Sequence, residues 1–155
     1  MLKRKTQNAK RKINMGMLVP KKVKYRKWHT MRRNPKRVGL DSRGTELSFG
    51  SFGLQALSAG RIKSNQLEAS RKAMSRVIKK TGKIWIRVFP DMPYTAKPAE
   101  VKLGKGKGDV QGYVVPVRAG RVLFEVEGLT ELESRDVLRK AGSKLPVKTK
   151  IIVRA

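Results

Sequence analysis

The sequence predicts an α+β domain, two helices on a mixed and mostly antiparallel sheet, carrying a long basic N-terminal arm. Three observations support this. One stretch repeats apolar residues at helical spacing between start and stop signals, and a second opens on a capping box and runs from acidic to basic. Several shorter stretches alternate apolar and polar residues as strands do. The first 40 residues hold 15 Lys or Arg and no acid, Asp41 being the first carboxylate; such a block repels itself and is expected to gain order only on a partner.

Residues 1–16 read as a basic extension, 17–43 as a basic arm and 44–155 as the folded domain. In the arm Leu18, Val19, Val23, Tyr25, Trp28 and Met31 are scattered without a sustained period. From Glu46 to Ala56 the chain is extended in character, with glycines that signal bulges or close backbone approach. Ser64 or Asn65 can cap a helix with Glu68 in its first turn. Leu67, Ser70, Met74, Val77, Ile78 and Thr81 then recur at helical spacing until Gly82 stops it. Ile84 to Phe89 alternates as a strand, Ile84, Ile86 and Val88 on one face and Trp85, Arg87 and Phe89 on the other, ended by Pro90. Asp91 to Pro98 is expected as a proline-punctuated loop, Ala99 to Leu103 as a short strand, and Gly104 to Gly108 as an exposed loop. Val110–Val117 and Val122–Val126 are expected as a hairpin turned at Ala119-Gly120. Thr130 with Glu133 forms a capping box for a helix over about 131–144, and Val147 to Val153 closes the chain as a strand. The order is β-α-β-β-β-β-α-β.

Composition narrows the function. A formal net charge of +27, from 38 Lys and Arg against 11 Asp and Glu, is far beyond what solubility asks and implies a polyanionic partner. With no cysteine, disulfides, thiolate nucleophiles and Cys-based zinc sites are excluded, which fits a reducing compartment. No apolar run approaches the roughly 18 residues of a membrane span.

In the arm, Tyr25, Trp28 and His29 interleave with Lys21, Lys22, Lys24, Arg26, Lys27, Arg32 and Arg33, setting stacking surfaces beside phosphate-seeking cations. The plainer alternative is a solvated tail. The first helix carries Arg71, Lys72, Arg76, Lys79 and Lys80, with Lys83 just beyond; only Glu68 balances them, which favours phosphate contact over a bare solvated face. The loop Gly104, Lys105, Gly106, Lys107, Gly108 lets backbone N–H groups and two lysines approach a phosphate or sugar edge, the alternative being a flexible tip.

Catalytic and nucleotide motifs fail. Asp109 occupies the third glycine position of a dinucleotide fingerprint, and Val77 and Ile84 stand where a phosphate-binding loop needs Gly and Ser or Thr. His29, the sole histidine, has no carboxylate near it in sequence. No cofactor, metal or small-molecule substrate is expected. A free architectural nucleic-acid binder remains an alternative, separable by competition with duplex DNA; an RNA-modifying enzyme would need a catalytic cluster the sequence does not display.

Five strings together, MLVPKKVKYRKWH at 17–29, LSFGSFGL at 47–54, GKIWIRVFPD at 82–91, GKGKG at 104–108 and KLPVKT at 144–149, resemble the bacterial-type large-subunit ribosomal protein L sixteen family. The similarity runs in register from Met17 to near the C-terminus. The resemblance implies an α/β-hammerhead fold and a non-catalytic structural role. It implies binding to large-subunit rRNA near the base of the central protuberance, beside the site that receives aminoacyl-tRNA, among neighbouring ribosomal proteins on a cytoplasmic or organellar ribosome. The arm would thread between rRNA helices, and Lys105 and Lys107 would point toward the tRNA cleft. Three features depart from the family pattern: residues 1–16 precede the usual start at Met17, the stretch Arg32 to Arg43 is longer, and Lys102-Leu103 replaces Arg-Met.

With about eight phosphate contacts, affinity for folded RNA is expected to fall about 1,000-fold or more between roughly 50 and 200 mM salt. Filter-retention titrations at several salt concentrations check this; a nearly flat response would show that the charge does not rest on phosphates.

Overall fold

The computed structural model describes residues 18–29, 39–78, 82–101, 104 and 106–154. Its elements run β1 (Phe52–Ala56), β2 (Gly60–Lys63), α1 (Ser64–Ile78), β3 (Lys83–Ile86), β4 (Met92–Ala96), β5 (Asp109–Val117), β6 (Val122–Glu127), α2 (Glu131–Gly142) and β7 (Thr149–Val153). The α+β class holds. In place of one mixed sheet there are two, ordered β3-β6-β1-β7 and β2-β5-β4, and every pairing is antiparallel.

The core lies between the helices and the sheets. Leu67, Met74 and Ile78 of α1 and Val137, Leu138 and Ala141 of α2 meet Leu54, Phe124 and Val126 of the first sheet and Ile62 and Val117 of the second. The expected helical period of α1 is the one that buries it, although Val77 is 37% exposed. The helices approach closely because Ser70 is small and its hydroxyl donates to the Ala141 carbonyl at 3.1 Å. The capping box of α2 forms as read: the Thr130 hydroxyl accepts from the Glu133 N–H, and the Glu133 carboxylate accepts from the Thr130 N–H at 3.1 Å. Among the described residues no helix is long and apolar enough to cross a membrane.

Four expectations need correction. The pair 110–117 and 122–126 is not a hairpin: β5 joins β2 and β4, while β6 joins β1 and β3. The corner between them is held elsewhere, since Gly120 N–H donates to Ala56 O, Asp41 N–H to Ala119 O and Val122 N–H to Gly44 O. The chain thus crosses from one sheet to the other at Ala119-Gly120. Residues 92–96, expected as loop, form β4; Pro93 is tolerated because β4 is an edge strand and needs no donor on its outer side. Ala99 to Val101 is a turn closed by Val101 N–H to Pro98 O, not a strand, while Lys102 and Leu103 lie outside the described residues. Of 46–56 only Phe52–Ala56 is a strand. The unforeseen β2 has four residues and a single apolar one, too little for an alternation to register.

The segment before β1 bends over the outer face of the first sheet for a definite reason. β6 is central, and its Glu125 side chain is fully buried. The carboxylate accepts from the N–H groups of Ser48 at 3.2 Å, Phe49 at 2.7 Å and Gly50 at 2.8 Å, and pairs with the Arg87 guanidinium. Leu47 lies over Gly53, where a Cβ would come within 2.3 Å of its Cδ2. Gly50 presses on β6 so closely that a Cβ would fall 2.5 Å from Val126 O. Burial pushes the Glu125 carboxyl up, but the three N–H donors and Arg87 outweigh it and hold the group below its ordinary value.

Glu125→Gln keeps the shape but loses the charge and turns an amide N–H toward the donors, so it is expected to cost about 3 kcal/mol. Because the folded carboxyl titrates below its unfolded value of about 4.3, its contribution is complete above that pH and is lost as pH falls through the folded value. Thermal melts of both proteins from neutral to acid pH should therefore show a gap that narrows only on the acid side.

Candidate nucleic-acid interface

Four of the arm cations identified from sequence, Lys21, Lys22, Lys24 and Arg26, are exposed and find no carboxylate among the described residues. Lys24 reaches instead over the ring of Tyr25, with Nζ 5.5 Å from its centre. Tyr25 is 61% exposed and Trp28 37% exposed, and His29 is exposed beside them. Leu18 anchors the start of this segment against the core. The arm therefore offers unpaired charge and open ring faces together.

The structure brings the arm and the Gly-Lys loop together across nearly 80 positions. Lys27 Nζ donates to Lys107 O at 3.1 Å and lies 3.7 Å from the Asp109 carboxylate, and Lys107 Nζ donates to Trp28 O. The loop is also held from the β4 side, where Lys97 Nζ donates to Gly104 O. Gly106 adopts φ +92, a conformation side chains resist, so the backbone there can fold back toward the arm. Asp109 is the residue that sequence reasoning missed. It is the only acid between Glu100 and Glu125, and its position at the end of a lysine loop was the available signal.

The basic side of α1 is partly neutralised from within. Glu68 receives two hydrogen bonds from Arg71, at 2.9 and 2.7 Å, and lies 3.9 Å from Lys72. The Arg71 contact holds the Glu68 carboxyl below its usual range despite some burial, and raises Arg71 in turn. Arg76 and Lys83 remain exposed and without an ion-pair partner among the described residues. On α2 the cations are spoken for locally, Arg135 by Glu131 at 2.7 Å and Arg139 and Lys140 by Asp136 at 3.1 and 2.5 Å. Arg32, Arg33, Lys79, Lys80 and Lys105 lie outside the described residues.

Among the described residues, exposed cations without an ion-pair partner follow one another in the arm at Lys21, Lys22, Lys24 and Arg26, and others, Arg76, Lys83, Arg118, Lys144, Lys148 and Lys150 among them, are spread over the domain. Counterion release favours cations that are not already paired, so this arrangement suits a phosphate backbone better than a protein surface of mixed sign.

Comparison with known proteins agrees with that chemistry. The family model described as ribosomal protein L16p/L10e matches residues 20–152. The large ribosomal subunit protein uL16 of Macrococcus caseolyticus (strain JCSC5402) is 50% identical over 138 residues, 89% of this chain and 93% of its own length. Its counterpart in Buchnera aphidicola subsp. Acyrthosiphon pisum (strain Tuc7) is 50% identical over 136 residues, 88% of this chain and 96% of its own. That of Staphylococcus aureus (strain Newman) is 50% identical over 138 residues, 89% and 93% respectively.

The Lys27–Asp109 pair is largely solvated, so Asp109→Ala is expected to change global stability by less than about 1 kcal/mol. The same substitution should raise amide exchange at Gly106, Lys107 and Gly108. Unchanged protection at those amides would show that the arm does not order the loop.

Proposed function

The chain belongs to the ribosomal protein L16p/L10e family, and from that premise we propose that it is a non-catalytic structural constituent of the large ribosomal subunit, anchored on rRNA by its arm. The observation that carries this is the partition of charge: cations of α2 are paired within the helix, whereas those of Lys21, Lys22, Lys24 and Arg26 are exposed and unpaired. Tyr25, Trp28 and His29 add stacking and hydrogen-bonding surfaces of the kind that folded RNA accepts.

The finer reading places the protein near the central protuberance, where it helps shape the aminoacyl-tRNA site. Lys27 and Trp28 brace the Gly104–Gly108 loop, so a segment anchored on rRNA supports a short glycine-rich tip. Such a tip exposes N–H groups and lysines with little bulk, which suits a contact with tRNA phosphate or sugar. Arg76 and Lys83, with Lys79, Lys80, Arg32 and Arg33, supply further rRNA contacts. Arg71 and Lys72 contribute less, because Glu68 already holds them. The protein acts by shape and charge; no side chain needs to perform chemistry.

In sucrose gradients at moderate salt the protein should travel with large subunits. Finding it at the top while large subunits sediment normally would refute the assignment. Subunits carrying Lys105→Ala together with Lys107→Ala should assemble but bind tRNA several-fold more weakly; normal tRNA affinity would remove the loop from the site.

A further inference from the structure

A second surface joins rings to cations, on the sheet and away from the helices. Alternation along β3 puts Lys83 and Trp85 on one face, and Arg87, whose N–H donates to Leu123 O, continues the pairing one residue past the strand. Phe49, from the segment that wraps Glu125, lies across both. Its ring stacks on Trp85 with centroids 5.9 Å apart and planes 16° from parallel, and the Arg87 guanidinium carbon is 5.1 Å from its centre. Yet Phe49 stays 54% exposed, and Phe89, two residues beyond Arg87, is 48% exposed.

Core packing does not explain such a ring. The segment carrying it is fixed by three backbone N–H groups that donate to one carboxylate, including the Phe49 N–H itself at 2.7 Å, and Arg87 pairs with the same group; burying that carboxylate is costly. What the fold obtains is an aromatic face presented on clamped backbone, supported from beneath by an indole and a guanidinium. A ring held this way loses little freedom when a flat partner settles on it. Arg87 is engaged by Glu125, so it stiffens the platform, while Lys83 on the same face has no ion-pair partner among the described residues. In a chain of net charge +27, the flat partner that arrives with its own negative backbone is an unstacked base.

We infer that Phe49, backed by Trp85 and Arg87, is a stacking platform for an unpaired nucleobase of rRNA, with Lys83 taking a neighbouring phosphate and Phe89 widening the apolar edge. This rests on the rRNA-anchoring reading and adds a base contact on the sheet, separate from the arm and the glycine loop. Base stacking is sequence-tolerant and insensitive to salt, unlike the phosphate contacts of the arm.

The test uses the full chain bound to large-subunit rRNA, with ultraviolet crosslinking and mass spectrometry of the peptides, alongside salt titrations. Phe49→Leu keeps apolar cover over Trp85 and the N–H to Glu125 but removes the π-face; Phe49→Tyr keeps the ring and guards against a folding defect. The parent and Phe49→Tyr should yield a nucleotide adduct within residues 47–54. Phe49→Leu should lose the adduct and bind about tenfold more weakly with an unchanged salt slope. An unchanged affinity with no adduct in the parent overturns the platform while leaving the arm intact. So does a Phe49→Leu defect that Phe49→Tyr shares, or a crosslink from this segment to protein alone. Absence of any rRNA binding by the parent overturns the anchoring reading and the platform with it.

Discussion

A carboxylate with no solvent exposure, at the middle of a four-stranded sheet, constrains much of what surrounds it. Glu125 can remain ionised there only if donors come to it, and the donors are the backbone of 48–50 and the guanidinium of Arg87. That requirement explains why the segment before β1 bends where alternation promises a strand. It explains why position 50 carries no side chain against β6, and why Gly53 leaves room for Leu47. It also fixes the direction of Phe49. One buried charge therefore links the central strand, the edge strand β3 and the chain entering the domain.

Elsewhere the fold separates two kinds of cation. Those on α2 sit three or four residues from an acid and are neutralised where they stand. On the arm, Lys21, Lys22, Lys24 and Arg26 have no acid within reach among the described residues, while Lys27 lies against Asp109. The second kind is left open to a partner outside the chain. Family membership and this separation describe the same molecule from two sides, one from relatives in large ribosomal subunits and one from electrostatics.

Legibility in the sequence followed the range of the signal. Local devices were readable: the period of α1, the Thr130–Glu133 box and the existence of β3 depend on residues a few positions apart, although β3 ends at Ile86, short of the Phe89 that alternation suggests. The pairing of strands was not. Consecutive β5 and β6 look like a hairpin until the Ala119-Gly120 corner is seen to bond with Ala56 and Asp41, which no local pattern encodes. Pro93 argued for a loop because its tolerance depends on β4 lying at an edge. Cationic residues of the arm could be named from spacing alone, but their contact with the glycine loop could not, since Lys27 and Asp109 are distant in sequence and meet only after folding. The neutralisation of Arg71 by Glu68 is a local i,i+3 pairing that the spacing alone makes available.

The strand pairings also set a timetable. β1 lies between β6 and β7, and β2 pairs only with β5, so neither has a neighbour until residues 109–153 exist. On a growing polypeptide the cationic leader and the first two strands are made before any sheet can close, and contacts of such long sequence separation form slowly. The arm is thus born early and left in company with unsatisfied strand edges. Until those pairings form, the exposed edges are open to association with other chains.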